Sequence, residues 1–146
     1  MSSPGLSDRL SIQVAGVDPG ETIGAARVIR HKPTATHLGS GTQHWWDTRD
    51  PIELCEELIQ FRPDIVAVER YDSAGSLPRE GRYTIWVEGY IVLRLQEAGL
   101  YVVQQSPQKR RQCLSAAKEL VPLHDDRHKA DALAHALVRL KKEGWT

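Results

Sequence analysis

Cysteine is nearly absent from this chain: Cys55 and Cys113 are the only two among 146 residues. Both fall in segments of helical pattern and lack the close spacing of a zinc or redox site, so they are expected to be reduced and structural. Excess charge is missing as well, because 19 basic residues stand against 19 acidic ones. Net charge therefore gives no support to a nucleic-acid partner, and such support has to come from how the charges are distributed. No apolar run approaches the roughly 20 residues that a membrane-spanning helix needs, and there is no internal repeat or low-complexity tract. The opening MSSPGLSDRL has neither an apolar core region nor a small-residue cleavage pattern. Residues 1–10 are thus expected to form a disordered tail, and the protein to be cytoplasmic.

What is present suffices for one domain. With 40% apolar and 26% charged residues, 146 residues can bury one proper core and are too few for two ordinary ones, so a single domain is expected over 11–146. Apolar periodicity predicts strands at Ile12 to Asp18, Ala25 to Arg30 and Ala35 to Trp45, a helix at Pro51 to Phe61, and a strand at Asp64 to Arg70. The polar loop DSAGSLPREG follows, then a helix from about Leu77 to Ala98, a strand YVVQQ from Tyr101, and helical QKRRQCLSAAKEL. After the loop VPLHDD a final helix runs from about Asp126 to Lys142. Hairpin-connected strands first, then strands separated by helices, imply a mixed α/β sheet with helices packed on it.

Three acidic residues stand out by position. Asp18 ends the apolar run Ile12 to Val17 and opens a DPG turn. Glu69 ends DIVAVE in the same manner, and Asp131 lies in the first turns of HKADALAHALVRLKK. Each has an ordinary explanation: a turn aspartate, a strand-end glutamate paired with Arg70 or Arg79, a helix-surface acid. His128 and Asp131 are three apart and so share a helix face from which both can reach one cation. Asp125 and Asp126 read differently, as amino-terminal capping and dipole residues of that helix.

A set of carboxylates with one imidazole suits phosphodiester hydrolysis. Two hard divalent ions about 4 Å apart can activate a water and stabilise the leaving oxygen, and carboxylates hold Mg²⁺ or Mn²⁺. An imidazole is tolerated better by Mn²⁺, so His128 reads either as a ligand or as the group that orients or deprotonates the water. Basic residues cluster near these acids in sequence: Arg70, Arg79 and Arg82 after Glu69, and the run Lys109, Arg110, Arg111. Both groups are candidates for phosphate contacts, whereas Lys141 and Lys142 read as a solvated helix end. Core and rim packing is expected for Trp45, Trp46 and Trp86.

GVDPG before a small-residue strand, AVERY, and HKADALAHAL, in that order, resemble the three signature segments of RuvC-type Holliday junction resolvases. The resemblance runs from Val14 to Leu140. It implies an RNase H-like fold, a mixed five-stranded sheet flanked by helices, and a homodimer that nicks four-way DNA junctions in pairs. It also implies two Mg²⁺ or Mn²⁺ ions per active site. Asp18 matches the family's first-strand aspartate, Glu69 its central glutamate, and His128 with Asp131 its final helix pair. In the family a phenylalanine follows the glutamate in a junction-probing loop; this chain has Tyr71, which reads either as a base-stacking residue or as a strand-closing one. Lys109 falls where family members approach the scissile phosphate with basic residues. The chain is shorter than typical bacterial members, which fits a compact phage-type or organellar-style variant, the former acting in the cytoplasm of a bacterial host. Three other readings stand beside this one: a broader branched, flap or fork endonuclease with the same centre, an inactive nucleic-acid-binding module, and an actin-like ATPase fragment.

Overall fold

The structure is a computed structural model that describes residues 5–36, 38–71, 79–121 and 127–145, with Arg79 and Glu80 as helical backbone alone. Five strands form one sheet: β1 (Ser11–Asp18), β2 (Ile23–His31), β3 (Ser40–Thr48), β4 (Ile65–Glu69) and β5 (Val102–Gln105), in the order β3-β2-β1-β4-β5. β2 and β3 pair antiparallel with their neighbours, while β4 runs parallel to both β1 and β5. The α-helices among the described residues are α1 (Pro51–Phe61), α2 (Arg79–Glu97), α3 (Leu114–Leu120) and α4 (Arg127–Lys142). The mixed five-stranded sheet flanked by helices is the architecture expected from the sequence.

Strand alternation sorts the core onto two faces. Ile12 and Val14 of β1, Ala26 and Val28 of β2, and Ile65 of β4 pack with Leu133, Ala136 and Leu140 of α4. Ala15, Val17, Val66 and Val68 point the other way, onto Leu54 and Leu58 of α1 and Ile91 and Leu95 of α2. Helix α4 lies very close to the sheet because both surfaces are stripped of bulk at the crossing. A Cβ added at Gly16 would stand 1.9 Å from the Ala132 carbonyl oxygen, and one at Gly24 would stand 2.0 Å from that of His128.

Helix α1 begins where Asp50 accepts from the Ile52 and Glu53 amides at 2.9 and 3.4 Å. It ends at Arg62, whose φ of 49° closes the helix in the left-handed region.

Several expectations need correction. β2 is longer than Ala25 to Arg30, because its pairing with β1 extends to Gly24 opposite Asp18 and to His31 opposite Ser11. β3 is shifted from Ala35–Trp45 to Ser40–Thr48. Ala35 lies in a bend, and the ladder to β2 runs from Ser40 opposite His31 to Thr48 opposite Ile23. The single helix expected from Gln108 is broken: Pro107–Gln112 is a 3-10 stretch, closed by i→i−3 bonds such as Cys113 N–H to the Arg110 carbonyl at 3.0 Å, and α3 begins only at Leu114.

Leu6–Asp8, within the expected tail, also forms a 3-10 turn. Leu6 is buried there, and its carbonyl accepts from Trp145 Nε1 at 3.1 Å. Trp45 and Trp46 pack at the core margin as expected, but Trp86 is 60% exposed on α2 and stacks with Tyr90 at 6.1 Å between centroids. Cys55 and Cys113 are free thiols. Leu77, Pro78, Asp125 and Asp126 lie outside the described residues. Among those described, no helix is long and apolar enough to cross a membrane.

Candidate active site

The two strand-end acids meet because β1 and β4 are neighbours and parallel. Val17 pairs with Val68, so the next residues, Asp18 and Glu69, emerge side by side at the carboxyl ends of the central strands. Ligands of open α/β sheets gather at that end. The period of two sends both side chains to the face covered by α4, the same face as Ile12, Val14 and Ile65. Helix α4 then brings His128, Asp131 and His135 over them, at spacings of three and four that share one side of the helix.

The contacts are specific. His128 Nδ1 lies 3.0 Å from Asp18 Oδ2. Arg110 Nη1 donates to Glu69 Oε1 at 2.5 Å, and its Nε lies 3.6 Å from Asp131 Oδ1. One guanidinium thus bridges the acids of β4 and α4. On the other side of Glu69, His135 Nε2 stands 3.6 Å from Oε2. His135 Nδ1 and the His135 carbonyl both receive the Gln105 side-chain amide, at 2.9 and 3.2 Å. Because the carbonyl can only accept, the Gln105 group facing it is the NH₂, and Nδ1 must accept from it too. A neutral His135 therefore carries its proton on Nε2, aimed at Glu69.

Electrostatics separate the two central acids. Burial pushes the Asp18 carboxyl up from 3.8 to about 7, opposed by its bond to His128 and helped by the neighbouring Glu69 and Asp131 carboxyls. Burial raises Glu69 too, but the neighbouring His135, Asp18 and Arg110 outweigh it and hold Glu69 low. The two neighbouring carboxyls are thus pushed in opposite directions, Asp18 up and Glu69 down. The bond to Asp18 raises His128, and burial raises Asp131 despite the nearby Arg110.

A cleft of about 230 Å³ opens onto this cluster, lined by Asp18, Pro19, Glu69, Tyr71, Thr84, Pro107 and Arg110. Among the described residues no group of three or more His, Cys, Asp or Glu side chains is gathered to hold a metal ion. The donor chemistry nevertheless fits a hard divalent cation: three crowded carboxylates, a buried Glu69 Oε2 without a hydrogen-bond partner, and a positive charge already seated between two of the acids.

The expected phosphate contacts divide. Arg70 and Lys109 line a neighbouring cavity of about 500 Å³, together with Arg139, Lys141 and Lys142; Lys141 and Lys142 are exposed, as expected of a solvated helix end, and also face this cationic hollow. Arg111 is exposed beside it, and Arg82 is exposed on α2. Arg110 turns inward. Of Arg79 only the backbone is described. Tyr71 lines the acid cleft, and its amide donates to Glu88 Oε1 at 2.5 Å. Glu88 also accepts from Gln104 at 2.7 Å, which ties the segment after β4 to α2 and β5.

His135, Gln105 and Glu88 were not anticipated. The position of His135, four residues beyond Asp131 in HKADALAHAL, was a legible signal for the first. Gln105 and Glu88 depend on sheet order and helix docking, which no local pattern reports.

No protein-family model and no curated protein matches the chain. Solved structures do. RuvC of Thermus thermophilus superposes with a TM-score of 0.66 at 22% identity, over 91% of this chain and 97% of that one. T. thermophilus RuvC in complex with a Holliday junction substrate gives 0.63 at 25% identity, over 91% and 96%. Fowlpox virus resolvase, in complex with its substrate Holliday junction DNA, gives 0.53 at 12% identity, over 90% and 98%. The chain has the RNase H-like fold of RuvC.

Proposed function

We propose that this protein is a structure-selective DNA endonuclease that resolves four-way junctions by paired phosphodiester hydrolysis. The observation that carries the reading is the meeting of Asp18 and Glu69 at the ends of adjacent parallel strands beneath His128 and Asp131 of α4. Asp18, Glu69 and Asp131 would hold Mg²⁺ or Mn²⁺, two ions per site, with His128 as a further ligand or as the group that takes a proton from water. Bound divalent ions activate water and offset charge on the phosphate.

The chain's own residues do the rest. Glu69 is kept ionised by His135 and Arg110, so a carboxylate stands ready at the floor of the cleft. His128 and Asp18 can pass a proton between them across 3.0 Å. Arg70, Lys109, Lys141 and Lys142 offer a cationic hollow next to the cleft, suited to the DNA backbone. The T. thermophilus and fowlpox virus structures described as Holliday junction complexes support the choice of substrate.

A second copy of the chain belongs to the reading, since paired nicks need two centres. Tyr83, Trp86 and Leu93 leave apolar surface exposed on α2 for that contact. Light scattering should give the mass of a dimer, and Trp86→Glu should halve it.

The deciding experiment incubates the protein with a labelled synthetic four-way junction or a linear duplex of the same sequence, in Mg²⁺ or Mn²⁺. Symmetric nicks in the junction alone are expected. Equal cutting of both substrates would reduce the reading to a general nuclease, cutting of flaps or forks in preference would favour the broader branched-DNA enzyme, and tight binding without cutting would leave an inactive binding module.

A further inference from the structure

We propose that Arg110 is a resident counter-cation of the acid cluster, which a divalent ion displaces from Glu69 and Asp131 and which then becomes a ligand for DNA phosphate. The inference rests on the metal-dependent nuclease reading above and assigns a role that the reading leaves open.

The geometry begins with the backbone. Pro107 starts a 3-10 stretch directly after β5, and its i→i−3 bonds wind it more tightly than an α-helix. That winding separates three consecutive cations. Lys109 turns to the basic hollow and Arg111 to solvent, while Arg110 enters the cleft. There its guanidinium stands 2.5 Å from Glu69 Oε1 and 3.6 Å from Asp131 Oδ1, oxygens that belong to different elements. A planar guanidinium presents donors in a rigid fork to two such acceptors at once, with less reorganisation than a flexible ammonium needs.

These two carboxylates are among those that would hold the divalent ions of the proposed centre. A guanidinium hydrogen-bonded to Glu69 Oε1 and a metal ion coordinated by that oxygen would bring like charges together inside a partly buried cleft, so the two states exclude each other. Exchange is sterically open. The Arg110 side chain remains 31% exposed, whereas those of Glu69 and Asp131 are 9% and 8% exposed. The acids are fixed by the sheet and α4, and the arginine is the member free to leave. Once outside, it lies between Lys109 and Arg111 on the surface where a polyanion would run.

Two consequences follow. The metal-free protein keeps its buried acids compensated and does not need the ion in order to fold. Metal loading also adds one cation to the DNA-binding surface, so metal and DNA support each other's binding.

Isothermal titration of Mn²⁺ alone into the metal-free protein tests this without any cleavage assay. Arg110→Gln, which keeps length and polarity but removes the charge, is expected to bind Mn²⁺ about tenfold more tightly than wild type. Arg110→Lys, which keeps the charge and loses the fork, is expected to fall between them and gives the same ordering if the glutamine variant does not fold. A merely structural arginine would leave affinity unchanged or weaken it on removal. Equal or weaker Mn²⁺ binding in the folded variants, with clear binding by wild type, overturns the role of Arg110 and leaves the nuclease reading intact. Absence of Mn²⁺ binding by wild type and both folded variants overturns both.

Discussion

His135 Nε2 lies 3.6 Å from Glu69 Oε2, and neither atom has a hydrogen-bond partner among the described residues. The distance is longer than a hydrogen bond, yet the ring is fully buried and held from behind by Gln105. Its proton has nowhere else to point. If the proposed reaction runs at this site, His135 would act on it through Glu69, as a positioning residue that keeps the carboxylate low and oriented. His135→Phe preserves the ring's bulk and removes the donor. Junction cleavage is expected to fall about 10- to 100-fold, with junction affinity little changed. The acid limb of the pH–rate profile should move to higher pH, because Glu69 loses an influence that lowers it. An unchanged rate and profile would reduce His135 to core packing.

Asp18 leads to a prediction about stability. Its carboxyl is raised from 3.8 to about 7 by burial, so between those values the folded protein keeps a proton that the unfolded chain has released. The free energy of unfolding must therefore decline as pH rises across that window, and this contribution levels off above about 7. Asp18→Asn carries no charge to bury and lacks this contribution. Urea denaturation at pH 5 and pH 8 should show the variant gaining stability relative to wild type at the higher pH. The same variant should bind a junction and fail to cut it, because it loses a carboxylate oxygen and retains the shape. A stability difference independent of pH would refute the raised carboxyl, and near-normal turnover would remove Asp18 from the centre.

The acids at Asp18 and Glu69 were legible because each closes an apolar run of strand length, and strand ends are local events. His128 and Asp131 were legible because helix periodicity places them on one face. The partners were not. Glu69 reads from sequence as a mate for Arg70 or Arg79, yet it takes Arg110, 41 residues away, because β5 docks beside β4 and delivers the following 3-10 stretch to the cleft. The break at Cys113 was hidden for a related reason: apolar spacing cannot distinguish a 3-10 stretch followed by a helix from one continuous helix. β3 was placed too early because its bounds come from its ladder with β2 and not from its own composition.

Gly16 is where packing and site depend on the same atom. It lies on β1 two residues before Asp18, and an added Cβ would stand 1.9 Å from the Ala132 carbonyl and 2.9 Å from the Ala136 amide nitrogen of α4. Backbone cannot yield as a flexible side chain would, so α4 must move away from the sheet. Gly16→Ala is expected to destabilise by about 1–3 kcal/mol, as overpacking does. Cleavage should fall further than stability alone explains, since α4 carries His128, Asp131 and His135 together. Denaturant melts and cleavage assayed well below the variant's melting range separate the two effects. Wild-type stability in the variant would mean that the close approach of helix and sheet is not needed.

Lys109 and Lys141 come from different elements and line the same cationic hollow beside the acid cleft. If that hollow carries the DNA backbone, each makes a phosphate contact that releases about one counterion. Lys109→Ala and Lys141→Ala should then each weaken junction binding and reduce the slope of log affinity against log salt by about 0.9. Arg9 provides the control. It sits just before β1, at the far end of that strand from Asp18, and pairs with Asp64 at 2.5 Å. Arg9→Ala should leave the slope unchanged. Fluorescence anisotropy of a labelled junction across a salt series reads all three variants. Unaltered slopes for both lysine variants would move the DNA path away from the hollow, and a loss shared equally by Arg9→Ala would show attraction spread over the whole surface instead of a track beside the acids.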